Sequence, residues 1–331
     1  MTAPWDAVPR IPLVAARPTP VQPLPRLAAA LGRDFALWVK RDDLTGLAFG
    51  GNKTRKLEFL LADAQAQGAD VVVTAGAVQS NHCRQTAAAA ARLGLEAVLV
   101  LAGEPQAPAE AGGNLALDAL LGARVVWTTR AQREAALIAT VERLREQGRR
   151  PYRIPYGGSN ALGVTAYAAA LAELLAQMQP PPEVIVVASS SGGTQAGLVA
   201  GAHVLGYAGR IVGISVDEPA AVLAERVADL ANQALRRWGL APAITPRQVE
   251  VHDRWAAAGY GVLTEAEIEA IRLAARTEGL LVDPVYTGRG LAGLLGLART
   301  GALAAARRVL FWHTGGTPAL FAAVYRRVWT A

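Results

Sequence analysis

Short valine-rich runs alternate along this chain with longer stretches in which apolar residues recur every three or four positions. Strands of that kind bury both faces, and the helices between them supply the cover, so the pattern predicts an α/β fold with open, mainly parallel sheets. Strands are predicted at 36–40, 71–76, 96–101, 123–128, 151–154, 184–188, 211–216 and 308–312. A helix is predicted just after Gly50-Gly51-Asn52, where Leu57, Leu60, Leu61 and Ala64 share a face, with others near 82–93, 113–121, 160–177, 195–205, 264–278 and 318–328. Residues 1–35 hold seven prolines and read as an extended arm. Two lobes are expected, and ligands in such sheets collect outside the carboxyl ends of the strands.

Hydrophobic residues make up 52% of the 331, yet Arg, Glu or Gly interrupts each apolar run before the ~20 residues a membrane span requires. The first residues lack a basic segment leading into an apolar one, so no secretory signal is expected and a cytoplasmic location is. Cys83 is the only cysteine, which excludes an internal disulfide framework; inside a helix it reads as packing. The net charge of +6 comes from scattered arginines without an aromatic-interleaved basic stripe, so nucleic acid is not an expected partner. Only three of the 33 basic side chains are lysines, and Lys40, Lys53 and Lys56 stand in one short segment. Arginine cannot replace an amine that must lose its proton, so the cluster marks a candidate for chemistry, although composition bias with chance survivors leaves the same trace.

Four loops carry hydrogen-bonding residues where the alternation places strand ends. SSSGGTQAGL (189–198) precedes a helix, so the N–H groups of Gly192, Gly193 and Thr194 can converge on a phosphate; an ordinary glycine turn would read alike. The loop lacks G-x-G-x-x-G and has no lysine after Gly193, which disfavours a dinucleotide or a Walker-type site. In GAVQSNHCRQ (76–85), Ser80 or Asn81 can cap the next helix, leaving N–H groups for a carboxylate and the Asn81 amide for an aromatic hydroxyl. His82 taken alone is more often packing than an acid-base group. VLFWHTGGTPALF (309–321) sets Thr314 at a strand end, and LLVDPVYTGRGLAGL (280–294) sets Tyr286 and Thr287 ahead of another helix.

Taken together these segments resemble the fold-type II pyridoxal 5′-phosphate (PLP) enzymes of the D-cysteine desulfhydrase and 1-aminocyclopropane-1-carboxylate deaminase family. The resemblance runs from about Pro9 to Ala323 through KRDD (40–43), GGNKTRKLEFL (50–60), QSNHCRQTAA (79–88), PYGGSNALG (155–163), SSGGTQAGL (190–198), GYG (259–261), ARTEGLLVDPVYTGR (275–289) and HTGGTPALF (313–321). It implies a tryptophan-synthase-β-like architecture with PLP in the cleft between a large lobe (1–55 with 160–331) and a small one (56–159). It also implies a Schiff base on Lys53, a substrate-binding or nucleophilic Ser80, Asn81 facing the cofactor's O3′, and a phosphate held by Ser190, Ser191, Gly192, Gly193 and Thr194. Tyr286 would lie beside the ring, Tyr260 near the substrate, and Thr314 near the pyridine nitrogen; His82 and Thr287 are expected on the substrate side. A homodimer is implied, and no metal.

The deaminase pattern within this family resembles Tyr-Glu where this chain has Tyr286-Thr287. A carboxylate there would keep the pyridinium protonated and strengthen the electron sink, whereas a hydroxyl suffices for a good leaving group such as sulfide. The expected reaction is therefore α,β-elimination of D-cysteine to pyruvate, hydrogen sulfide and ammonia. Lys53 is the expected base at Cα and either tyrosine the donor to sulfur. An L-cysteate sulfo-lyase shares nearly all the motifs, followed by the cyclopropane deaminase; a catalytically silent PLP-binding protein is the alternative of another class.

Overall fold

The computed structural model describes residues 3–32 and 34–330. The proline-rich arm is not extended throughout: it contains β1 (Val21–Pro23) and α1 (Pro25–Leu31), because Pro25 stands at the first helical turn, where its missing N–H has no partner to lose. β2 (Ala36–Arg41) follows, and α2 (Asn52–Ala66) begins directly at the lysine-bearing loop. Then come β3 (Val71–Ala77), α3 (Asn81–Leu93), β4 (Glu96–Ala102), α4 (Pro108–Ala111), α5 (Gly113–Leu120), β5 (Arg124–Thr128), α6 (Arg133–Glu146) and β6 (Pro151–Arg153). The chain continues with α7 (Ala161–Gln177), β7 (Val184–Ser189), α8 (Gly193–Leu205), β8 (Arg210–Ser215), α9 (Ala220–Arg237), β9 (Glu250–His252), α10 (Glu265–Glu278), α11 (Thr287–Arg299), β10 (Arg308–His313) and α12 (Arg327–Thr330).

Two sheets result, ordered β1-β2-β10-β7-β8-β9 and β5-β4-β3-β6. Every pairing is parallel except β1 with β2, as expected for strands joined by helical crossovers. All six residues of β7 are buried, so it reads as an uninterrupted apolar run, not an alternating one. One hydrophobic core joins the sheets: Val72 and Leu99 of the smaller and Ile185 and Trp312 of the larger meet through Leu60, Leu61 and Leu171 of α2 and α7.

Three further expectations are corrected. Residues 318–328 are not one helix: two 3-10 turns and the short α12 stand there, after left-handed turns at Gly315 and Gly316 and Pro318. No strand precedes Asp283, since 280–282 run irregularly between α10 and α11. The longest helix, α9, falls where the sequence reading places none, although Leu223, Val227, Leu230 and Ala234 repeat at helical spacing and are buried.

Candidate active site

In each sheet the strand order reverses once, between β3 and β6 in the smaller and between β7 and β10 in the larger. Two adjacent crossovers then leave in opposite directions and open a crevice at the carboxyl ends. The loops there line one cleft. β3 sends in Ser80, Asn81 and His82, β6 Tyr156 and Gly157, β7 Ser189 to Gly192 with Thr194, and β10 Thr314; Asn52, Lys53 and Tyr286 complete its walls.

Lys53, at the start of α2, donates from Nζ to Gly157 O at 3.1 Å, and Lys56 Nζ, one turn on, reaches the same oxygen at 3.2 Å. Among the described residues, no carboxylate lines this cleft. Desolvation therefore pulls the Lys53 amine down to about 8, and burial with the adjacent Lys53 holds fully buried Lys56 well below the usual lysine range. Lys40 is different in kind. Its Nζ ends on Thr19 O and Glu173 Oε1, at 2.8 and 2.7 Å, so of the three clustered lysines two serve the cleft and one is a structural ion pair. Gly157 is obligatory where it stands: φ is +66°, and a Cβ would run into Ser191 Oγ and lie 3.3 Å from Lys53 Nζ.

The loop after β7 meets the start of α8, which no side chain caps, so its first-turn N–H groups are left for an anion. Thr194 Oγ1 accepts from Asn52 Nδ2 at 3.0 Å, Ser191 Oγ pairs with Ser159 Oγ at 2.8 Å, and Ser189 Oγ is buried without a partner. Ser190 is engaged elsewhere, donating to Asp217 Oδ1 at 2.9 Å. Gly193 stands just behind the lining, where a Cβ would press on Ser159 Oγ and Lys56 Nζ. One contact crosses the mouth from the smaller sheet's side, Arg130 pairing with Asp217 at 3.2 Å, while within that side the Arg133 guanidinium lies 4.0 Å over the Tyr156 ring.

Ser80 caps α3, its Oγ accepting from Cys83 N at 3.2 Å, which leaves its O–H free to donate. Asn81 Oδ1 accepts from Asn114 Nδ2 at 2.8 Å. His82 stands on a chain of fixed polarity. Thr74 Oγ1 donates to Ile154 O, which can only accept, so Thr74 accepts from His82 Nε2–H at 2.9 Å and Nδ1 remains a bare, buried acceptor. Burial and the two lysines hold His82 well below the usual histidine range, hence neutral. Cys83 is buried beside it and pushed up by desolvation, an inert thiol.

Tyr286 faces the cleft, with Tyr260 behind it in an adjacent recess, the two hydroxyls 2.6 Å apart. Burial pushes both phenols well above their ordinary range, so each keeps its proton. Thr287 is corrected. Asp283 caps α11, accepting from the N–H groups of Val285, Tyr286 and Thr287, and the Thr287 hydroxyl donates to Asp283 Oδ1 at 2.7 Å; it is fully buried and outside the lining. The sequence reading assigns no role to Asn52, Lys56, Tyr156, Gly157 or Ser189. Their signal lies in motifs it does single out, the lysine trio, PYGG and the triple serine, but pattern alone does not say which member turns inward.

Residues 13–315 match the family described as pyridoxal-phosphate dependent enzyme. The chain belongs to the pyridoxal-phosphate dependent enzymes. It is 42% identical over 320 residues to the D-cysteine desulfhydrase of Salmonella typhi, covering 95% of this chain and 96% of that one. A solved ACC deaminase homologue superposes with a TM-score of 0.88 at 38% identity, over 96% of this chain and 95% of the other. A solved threonine deaminase, at 23% identity and a TM-score of 0.61 over 90% of this chain and 92% of the other, shares the fold. The fold is the fold-type II arrangement of this family. Its cleft fits the cofactor: Lys53 offers an amine to the aldehyde, no carboxylate in the lining opposes an anion, an uncapped helix start and hydroxyls offer the phosphate donors, and among the described residues Ser189 Oγ is a buried orphan awaiting a partner. Among the described residues, no helix is long and apolar enough to cross a membrane.

Proposed function

We propose that this enzyme eliminates hydrogen sulfide from D-cysteine, the activity that names its relatives in Salmonella. The observation that carries the reading is a cleft with a low-pKa lysine, hydroxyl donors and no carboxylate in its lining. Without a carboxylate in the lining, a hydroxyl such as that of Thr314 would be what the chain offers to the ring nitrogen, which suits departure of a stable thiolate better than opening of a cyclopropane.

Bound here, pyridoxal phosphate supplies a conjugated electron sink that acidifies the substrate's Cα–H. Its phosphate would rest on the first-turn N–H groups of α8, from Gly193 and Thr194 onward, with Ser191 and the Lys56 amine beside them. Asn81 would donate to the ring hydroxyl. Lys53 supplies the covalent anchor and then, as a neutral amine, takes the Cα proton; a pKa of about 8 leaves much of it unprotonated in mildly alkaline solution. Ser80 O–H donates to the substrate carboxylate, and the His82 Nδ1 lone pair receives a donor from the substrate side. Tyr286 protonates the departing sulfur and Tyr260 replenishes it through their 2.6 Å hydrogen bond. The released three-carbon enamine takes up water to give pyruvate and ammonium. We assign 1–55 with 160–331 to a large lobe and 56–159 to a small one, and place the enzyme in the cytoplasm. A homodimer is supported by Phe321, Val324 and Trp329, apolar side chains exposed near the C-terminus.

The test is release of 2-oxo acid and ammonia, with sulfide and sulfite assayed in parallel, from D-cysteine, L-cysteine, L-cysteate, β-chloro-D-alanine and 1-aminocyclopropane-1-carboxylate, using wild type and Lys53→Ala. Sulfide from D-cysteine that disappears in the variant upholds the reading. Sulfite from L-cysteate makes it a sulfo-lyase, ammonia from the cyclopropane a deaminase, and no turnover with cofactor bound a silent binder.

A further inference from the structure

Asn114, at the start of α5, lies outside the cleft lining and is fully buried. Its amide Nδ2 donates to Gln79 O at 3.0 Å and to Asn81 Oδ1 at 2.8 Å. The polarity of this chain can be deduced from its anchor. Gln79 O is a backbone carbonyl and only accepts, so Asn114 must turn its NH2 toward it; that NH2 then requires an acceptor on Asn81, which must offer Oδ1. The Asn81 NH2 is thereby turned the other way, into the cleft that Asn81 lines. Asn114 is itself held: its backbone N–H donates to Gln79 Oε1 at 2.7 Å, and Gln79 Nε2 donates to Gly112 O at 3.2 Å. Gly113 leaves room for the clamp, since a Cβ there would strike Gln79 Oε1.

We propose that Asn114 is a positioning residue that fixes the sense of the Asn81 amide, so that the cleft always meets a hydrogen-bond donor at this point and selects the deprotonated form of the cofactor's ring hydroxyl. The inference rests on the reading in which Asn81 faces that hydroxyl. A donor stabilises an oxyanion and not the protonated oxygen, so an amide free to flip would bind the cofactor less well and let its hydroxyl keep a proton to higher pH.

The test uses the cofactor-loaded enzyme and reads two quantities besides turnover: the pH midpoint of the bound cofactor's visible absorbance change and the dissociation constant for pyridoxal phosphate. Asn114→Leu is expected to raise the midpoint by up to about one pH unit and to weaken cofactor binding about two- to tenfold, the range for one lost hydrogen bond. Asn81→Ala should move both in the same direction and further. The double variant should move no further than Asn81→Ala alone, because Asn114 acts only through Asn81. If Asn81→Ala moves the midpoint and Asn114→Leu leaves it in place, the positioning role is wrong while the placement of Asn81 stands. If Asn81→Ala itself moves nothing, both fail; additive shifts in the double variant also overturn the proposal. Should Asn114→Leu not fold, Asn114→Ala removes the donor in a smaller volume, and a shift in the same direction supports the role where an unmoved midpoint refutes it.

Discussion

At the scale of single residues, the cleft is a set of groups whose protonation is decided by what stands behind them. His82 is the clearest case, since a backbone carbonyl two bonds away dictates its tautomer. The chain has four histidines, so nitrogen NMR of labelled imidazoles can isolate it. Nε2 should appear protonated and Nδ1 bare from about pH 5 to about pH 8, and a titration inside that window would contradict the burial argument. Lys53 gives a second expectation. An amine reacts when neutral, that is above its pKa, so acylation of Lys53 in cofactor-free protein should rise through about pH 8. A profile centred on the ordinary lysine value would remove the desolvation argument. Gly157→Ala adds a left-handed penalty of ~1–2 kcal/mol to a clash with Ser191 Oγ. Cofactor titrations followed by absorbance should therefore show binding at least about tenfold weaker.

At the scale of elements, α2 must hold Lys53 in register with loops from both sheets, and its buried face is tied down by charge as well as by leucines. Asp42, at the end of β2, accepts from Arg55, Thr19, Tyr167 and Trp312, and Arg55 also reaches Glu173 on α7. Burial alone would raise both carboxyls, but the Arg55 guanidinium and the hydrogen bonds prevail and hold each at about 2. A carboxyl whose folded pKa lies below its unfolded one stabilises the fold above the unfolded value and ceases to as pH falls toward the folded one. Urea midpoints should hold near neutrality and decline between about pH 4 and pH 2, and Asp42→Ala, which strips a buried guanidinium of a partner, should cost about 3–5 kcal/mol at pH 7. An unchanged midpoint would mean that Glu173 alone satisfies Arg55.

At the scale of the whole molecule, two sheets face each other across the cleft, and the Arg130–Asp217 pair bridges its mouth. Arg130 is 66% exposed in its side chain, so the pair is screened and adds no more than about 1 kcal/mol. Arg130→Ala should leave cofactor affinity nearly unchanged, whereas Asp217→Ala frees Ser190 in the loop after β7 and should weaken it severalfold; equal effects in absorbance titrations would show that the bridge, not the loop, matters. Strand-helix alternation, the glycine-serine loop leading into a helix start and the lysine at another were legible in the chain because each depends on local spacing, propensity or glycine placement. The motifs also carried the family and its cofactor. Long-range hydrogen bonds decided the rest: Thr287 turns to Asp283, Tyr260 stands behind Tyr286, Lys40 is a structural cation, and Asn114 sets the amide of Asn81. A linear pattern says which groups reach a strand end, but the sense of a donor depends on partners tens of residues away, which meet only when the sheets close on one another.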